Sequence, residues 1–245
     1  MTAAEEIQRF WDEDASVYDN SPSHHPQRPQ EQAAWAAALR RLLPSPPARV
    51  LDAGAGTGFL SLLLAAQGYQ VTALDLSAAM LERLQAKAHS RGLEVAIVQA
   101  EATSPPAGPF DAVIERHLIW TLPDPPAALA AWRGAAPAGR LVLAEGSWGR
   151  ASGIAGLQAT ARALAGRIRP AEPGHHGHYS RQVSASLPYG RGLTPGQAVA
   201  LVQASPWGPA RLTRLRDVEW AILDGRGLLA ELLGTHPRWA VTAGS

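Results

Sequence analysis

Three groups of residues have the types and spacing that chemistry requires. The first is the run Asp52-Ala53-Gly54-Ala55-Gly56-Thr57-Gly58, set between a short apolar stretch, Arg49–Ala53, and a longer one, Phe59–Gln67. Glycines at alternate positions let a backbone turn tightly and come close to a ligand. The start of a following helix presents N–H groups with no partner inside the helix. Asp75 ends the next apolar stretch, Val71–Leu74, where a carboxylate can accept both hydroxyls of a ribose. Turn and carboxylate together predict a nucleoside site. Counted from Gly54, the third glycine of a dinucleotide fingerprint would fall on Phe59, and no Gly-Lys-Ser/Thr follows, so neither that fingerprint nor a P-loop is present.

The second group is a set of candidate proton acceptors. His24 and His25 lie in Tyr18-Asp19-Asn20-Ser21-Pro22-Ser23-His24-His25-Pro26, and His117 follows Arg116. Histidine titrates near neutral pH and suits a general base, with His24 or His25 first in order and His117 next. Arg116 has the planar donor set that pairs with a carboxylate. The third group is His175, His176 and His178. Dense histidines invite metal, but neither helical spacing nor a carboxylate pattern accompanies them, so the expectation is a lid loop and no metal. With no cysteine in the chain, thiolate metal sites, disulfides and cysteine nucleophiles are excluded.

Elements that position these groups follow from periodicity. Strands are predicted over Arg49–Ala53, Val71–Leu74, Glu94–Val98, Phe110–Glu115 and Arg140–Glu145, and helices over Phe59–Gln67, Ser77–Arg91 and Pro125–Arg133. Alternating strands and helices imply an α/β, doubly wound, mostly parallel sheet covered on both faces. Two helices, Ala3–Asp14 and Gln30–Leu43, precede it. Beyond Glu145 the alternation stops. Ile154, Leu157, Ala161, Leu164 and Ile168 give a one-sided stripe and predict a helix over 151–168. Residues 169–193 read as a polar loop, Thr194 as the cap of a helix to Ala204, Arg211–Leu215 and Val218–Leu223 as a closing strand pair, and 225–234 as a last helix or turn. The segments are therefore 1–44, a helical lid; 45–145, the core; 146–193, a lid insertion roofing the acceptor pocket with the N-terminal helices; and 194–245, completion of the sheet. Trp148, Tyr179, Tyr189 and Trp207 are expected around an aromatic pocket; Trp11, Trp35 and Trp132 are expected in the core.

Residues 46–145 resemble the class I S-adenosylmethionine-dependent methyltransferases. Leu51–Gly58 is similar to their first motif and Thr72-Ala73-Leu74-Asp75-Leu76-Ser77 to their second, which implies Asp75 as ribose ligand beside Asp52, Gly54, Gly56, Gly58 and Leu76. Gln99-Ala100-Glu101-Ala102 stands where the family has Gly-Asp-Ala, which implies that Glu101 takes the adenine amino group, next to Ala102. Phe110-Asp111-Ala112-Val113, Leu122-Pro123-Asp124-Pro125 and Pro137-Ala138-Gly139-Arg140-Leu141 resemble later motifs, the last with one glycine replaced. The run Arg116–Pro125 is similar to a bacterial small-molecule subgroup of ubiquinone-biosynthesis type that includes natural-product tailoring enzymes, some of which methylate indole C3.

The resemblance implies seven strands, the last antiparallel, S-adenosylmethionine as cofactor, Arg116 near its carboxylate and Tyr18 against it. The expected reaction is in-line methyl transfer to an N, O or C nucleophile. A catalytically silent S-adenosylmethionine-binding subunit and a nicotinamide-dependent oxidoreductase stand beside this reading. The expected partners are a small-molecule acceptor and, at most, a second copy of the chain. A net charge of +1 argues against nucleic acid, which requires clustered basic residues. No apolar run approaches the ~20 residues of a membrane span, and the acidic N-terminus is unlike a signal peptide, so a cytoplasmic location is expected.

Overall fold

The computed structural model describes residues 3–21, 23–146, 179–190, 192–224 and 235–245. Trp148, the helix expected over 151–168, His175, His176, His178 and the element expected at 225–234 lie outside the described residues. A seven-stranded sheet runs in the order β3-β2-β1-β4-β5-β7-β6. Its strands are β1 (Arg49–Ala53), β2 (Gln70–Asp75), β3 (Ala96–Gln99), β4 (Ala112–Arg116), β5 (Arg140–Gly146), β6 (Ala210–Arg214) and β7 (Arg238–Gly244). The first five pair in parallel, and β7 runs antiparallel to both β5 and β6.

Alternation along the strands assigns the two faces. Leu51, Val113, Leu141, Leu143 and Val241 pack on one side, against α5 (Pro125–Ala135) and α7 (Pro195–Gln203). Val50, Ala112, Ile114, Val142 and Ala240 pack on the other, against α2 (Pro29–Leu42), α3 (Phe59–Ala65) and α8 (Arg216–Leu223). Helix α4 (Ala78–Ser90) lays Leu81, Leu84 and Ala88 on Ala73. Ser77 and Asp124 cap α4 and α5, and Thr194 with Gln197 makes a complete capping box on α7. Such caps satisfy N–H groups that the helix leaves unpaired.

Two sequence expectations are corrected. Residues 216–223 form helix α8, and the partner of β6 is β7. Val218, Trp220 and Ile222 alternate as a strand would, yet only Val218 and Glu219 of this helix are buried, while Trp220 is 72% exposed. β7 lacks alternation because both its faces are covered, as buried central strands are. Within the expected polar loop, α6 (Arg181–Ser186) forms, because Val183, followed by Leu187, buries against Ile7 of α1 (Ala3–Asp14). Among the described residues no helix is long and apolar enough to cross a membrane.

Candidate active site

The glycine turn is built from backbone. Gly54 and Ala55 donate to the carbonyl of Leu74, at 2.7 and 3.0 Å, which fastens the turn to the end of β2. Gly54, Gly56 and Gly58 have φ of +68°, +53° and +90°, the left-handed region that side chains disfavour. Their surroundings differ. A Cβ on Gly58 would lie 2.4 Å from Leu84 Cγ and one on Gly54 2.8 Å from Leu118, whereas at Gly56 the nearest atom is the Tyr18 ring at 3.7 Å. Gly58 thus serves helix packing, while Gly56 borders an open space together with the Tyr18 ring.

That space is a cavity beyond the carboxyl ends of the strands. Gly54, Gly56, Asp75, Leu76, Glu101 and Ala102 line it below; Ile7, Trp11 and Tyr18 close it from α1 and from the 3₁₀ turn Tyr18–Asn20; Arg116, His117, Leu118 and Leu122 line its far end. Asp75 accepts from Gly56 N at 2.8 Å and Ser77 N at 2.9 Å, one bond to each oxygen. Burial raises its pKa. Asp52 lies beneath the turn rather than in this cavity. It accepts from Ser61 Oγ at 2.6 Å, and burial raises its pKa to about 7. With Tyr18, His24 and Arg116 it lines a second, smaller void behind the turn.

The N-terminal segment is pinned over the cavity. Asp12 accepts from Ser77 Oγ and Ala79 N at the start of α4. Asp19 accepts from Thr57 Oγ1 and, at 3.0 Å, from Lys87 Nζ, and Lys87 is the single lysine of the chain. Arg116 donates to the carbonyls of Ser23 and His24 and stacks against Trp35 and Phe59, 5.2 and 4.8 Å from their centroids. His24 stacks on Tyr18 at 4.3 Å, and His25 packs edge-on to Phe59 with Nδ1 3.7 Å from Asp19. Neither His24 nor His25 lines the main cavity; His117 does. Burial pushes the Tyr18 hydroxyl up to about 12.

Sequence reasoning missed the charged groups around His117. Glu115 and Glu145 are 0% and 1% exposed, and Arg238 is 5% exposed. His117 Nδ1 is 3.1 Å from Glu145 Oε2, and its Nε2 is 3.5 Å from Arg238 Nη1. Burial, then Arg116 and Arg238, hold the imidazole well below its usual range. The acids ending the apolar runs Val113-Ile114-Glu115 and Leu143-Ala144-Glu145 were the available signal, since unpaired acids avoid buried strands; Arg238 gave none. Trp11, expected in the core, lines the cavity instead. Trp207, expected in a pocket, is core: its Nε1 donates to Leu129 O at 2.8 Å, and Tyr189 packs on the same cluster. Among the described residues no group of three or more histidines and acids could hold a metal.

The sheet order and the glycine turn form a Rossmann-like α/β architecture, and the comparisons place methyltransferases among the proteins it resembles. Residues 50–139 match the methyltransferase domain family. The chain is 40% identical over 113 residues to a demethylmenaquinone methyltransferase of Thermus thermophilus, covering 44% of this chain and 51% of that one. It is 34% identical over 115 residues to a ubiquinone biosynthesis O-methyltransferase of Xylella fastidiosa, covering 44% and 46%. It therefore spans about half the length of the curated relatives it matches. The solved structure of an S-adenosylmethionine-dependent methyltransferase from Aquifex aeolicus superposes with a TM-score of 0.55 at 14% identity, over 99% of this chain and 98% of that one. Over residues 50–139 the chain is thus similar to methyltransferases, and its fold is that of an S-adenosylmethionine-dependent methyltransferase of known structure.

Proposed function

We propose that the chain transfers a methyl group from S-adenosylmethionine to a small organic acceptor by in-line displacement. One observation carries this reading: a single cavity joins the glycine turn and Asp75 at one end to His117, Leu118 and Leu122 at the other. Each Asp75 oxygen uses one lone pair on the backbone, and a carboxylate has about four acceptor sites, so two remain for the ribose hydroxyls. Leu76, Met80 and Ala102 supply apolar walls for the adenine, with Glu101 at its edge for the amino group. Arg116, whose Nε is buried without a partner, would meet the methionine carboxylate.

The sulfonium carbon is already activated, so alignment of the nucleophile is the main task. Trp11 and Tyr18 favour a flat acceptor, an aromatic or indole-type ring carrying an N, O or C nucleophile. The names of the two relatives, which point to quinone biosynthesis, support a ring acceptor. S-adenosylhomocysteine should raise the melting temperature, because it binds the native state alone, and NADH should not. Labelled methyl should then appear on one of a panel of indoles, phenols and quinols. A melting temperature indifferent to S-adenosylhomocysteine would overturn the donor assignment; tight binding with no transfer to any ring acceptor would favour a silent binding subunit.

A further inference from the structure

The geometry points to His117, Glu145 and Glu115 as a proton relay at the acceptor end of the cavity, with His117 Nε2 as the atom that takes the acceptor's proton. This rests on the methyl-transfer reading above and adds where the proton goes. His117 is the one non-glycine among the described residues with a positive φ, +64°. Strained backbone of this kind persists where the surroundings enforce it, and here Glu115 does so. Its Oε2 accepts from Leu118 N at 2.8 Å and Ile119 N at 3.1 Å, which closes the turn that carries His117.

The register pairs Glu115 with Leu143, so Glu145, two residues on, projects from the same face. That places the two carboxyls near each other, where each makes ionisation of the other harder. Oε1 of each is buried and meets no donor. Two neighbouring carboxylates in a dry site cannot both ionise, and one proton held between them satisfies both. The pair then carries a single negative charge, facing Arg238 from β7, Arg116 from β4 and the buried acid Asp52 from β1. Arg238 can only donate, so His117 Nε2, 3.5 Å from its Nη1, carries the lone pair and the ring proton sits on Nδ1, directed at Glu145; the acceptor's proton replaces the long Arg238 contact at Nε2.

The step balances. The acceptor X–H bond breaks and its electron pair forms X–CH₃, while the S–CH₃ pair returns to sulfur and S-adenosylhomocysteine leaves. The proton goes to Nε2, and the Nδ1 proton passes to the Glu145–Glu115 pair, which becomes neutral. His117 is the catalytic residue, and Glu145 and Glu115 are positioning residues that act through it.

The test uses the full chain bound to S-adenosylhomocysteine and two-bond ¹⁵N–¹H correlations of the His117 ring at pH 7.5. The relay requires a neutral ring protonated on Nδ1. In Glu145→Gln the amide donates to Nδ1 and shifts the proton to Nε2, with S-adenosylhomocysteine affinity within a few-fold of wild type. With catechol and indole as probe acceptors, transfer in that variant should fall about 10²-fold or more in kcat with little change in KM. Glu115→Gln, which still accepts the two backbone N–H groups, is the milder second variant and should keep the ring in place while moving the acid limb of the rate profile. A wild-type ring that is an imidazolium or is protonated on Nε2 overturns the relay, whether or not the probes react. Failure of wild type to bind S-adenosylhomocysteine overturns the donor reading instead.

Discussion

The two ends of the cavity are built from different materials. The turn end is backbone: Gly54 to Gly58 are contiguous, held by main-chain hydrogen bonds to Leu74, with Asp75 braced by two main-chain N–H groups. The acceptor end is side chains: Glu115 lies in β4 and His117 follows it, Glu145 is the last residue but one of β5, Arg238 begins β7, and Tyr18 arrives from the N-terminal segment. A backbone-built site tolerates almost no change of residue at its glycines but little depends on charge. A side-chain-built site tolerates changes of shape but depends on protonation, because its charges are desolvated and balance one another.

The largest expected effect breaks the turn. Gly58→Val places a side chain on Leu84 at a φ of +90°; left-handed strain of ~1–2 kcal/mol and overpacking of ~1–3 kcal/mol together predict a loss of several kcal/mol in chemical denaturation. Gly56→Ala, whose Cβ would rest at van der Waals distance from the Tyr18 ring, should keep most of the stability and lose S-adenosylhomocysteine affinity instead. Equal stability losses at the two positions would erase the distinction drawn between packing and binding glycines. Next is Asp75→Ala, where loss of charge-assisted bonds worth ~1.5–3 kcal/mol should weaken S-adenosylhomocysteine binding by about 10- to 100-fold in calorimetry.

A pH series sharpens the contrast at the other end. Burial raises Glu115 from 4.5 to about 7 and holds Glu145 well above its usual range. An acid whose folded pKa is raised binds its proton more tightly when folded, so its contribution to stability is full below about pH 4.5 and is lost as pH climbs through 7. Glu115→Gln should flatten that decline in melting temperature, and an unchanged slope would mean the pair is ionised after all. The smallest effect concerns the lid. Lys87→Met removes a partly exposed ion pair with Asp19, worth about 0.5–1 kcal/mol, and should speed S-adenosylhomocysteine release a few-fold in stopped flow while leaving the pH series untouched.

The same contrast governed what could be read in advance. β1, the turn, β2 and α4 were legible because apolar periodicity, glycine spacing and the Ser77 cap are local signals. Seven strands with an antiparallel last one came from family resemblance. Residues 218–223, expected as a strand, have a pattern that fits either period, and burial decided for a helix over 216–223. Its helical stripe alone predicts Trp11 in the core, and only tertiary packing shows that α1 lies over the cavity. His24, His25 and His117 are equivalent as sequence. The structure separates them by what surrounds each ring, and Glu145 and Arg238, 28 and 121 positions from His117, are neighbours that no short window contains.

Strand β7 lies between β5 and β6, although it follows both in the chain. While a ribosome is still making residue 237, β5 is an open edge whose Leu141, Val142 and Leu143, buried in the finished fold, have no antiparallel partner. Open apolar edges are where nascent chains recruit wrong partners. The methyl-donor half, with β1 to β5 in register, can form before that moment; the β5–β7 pairing is long in sequence separation and closes late. Arg238 enters the interior with the strand that seals it, so the charge that balances Glu145 is delivered in the same event that removes water from it. Synthesis stopped a few codons short of that strand would leave a donor-binding half with an adhesive edge, an outcome to look for as inclusion bodies rather than as a weak enzyme.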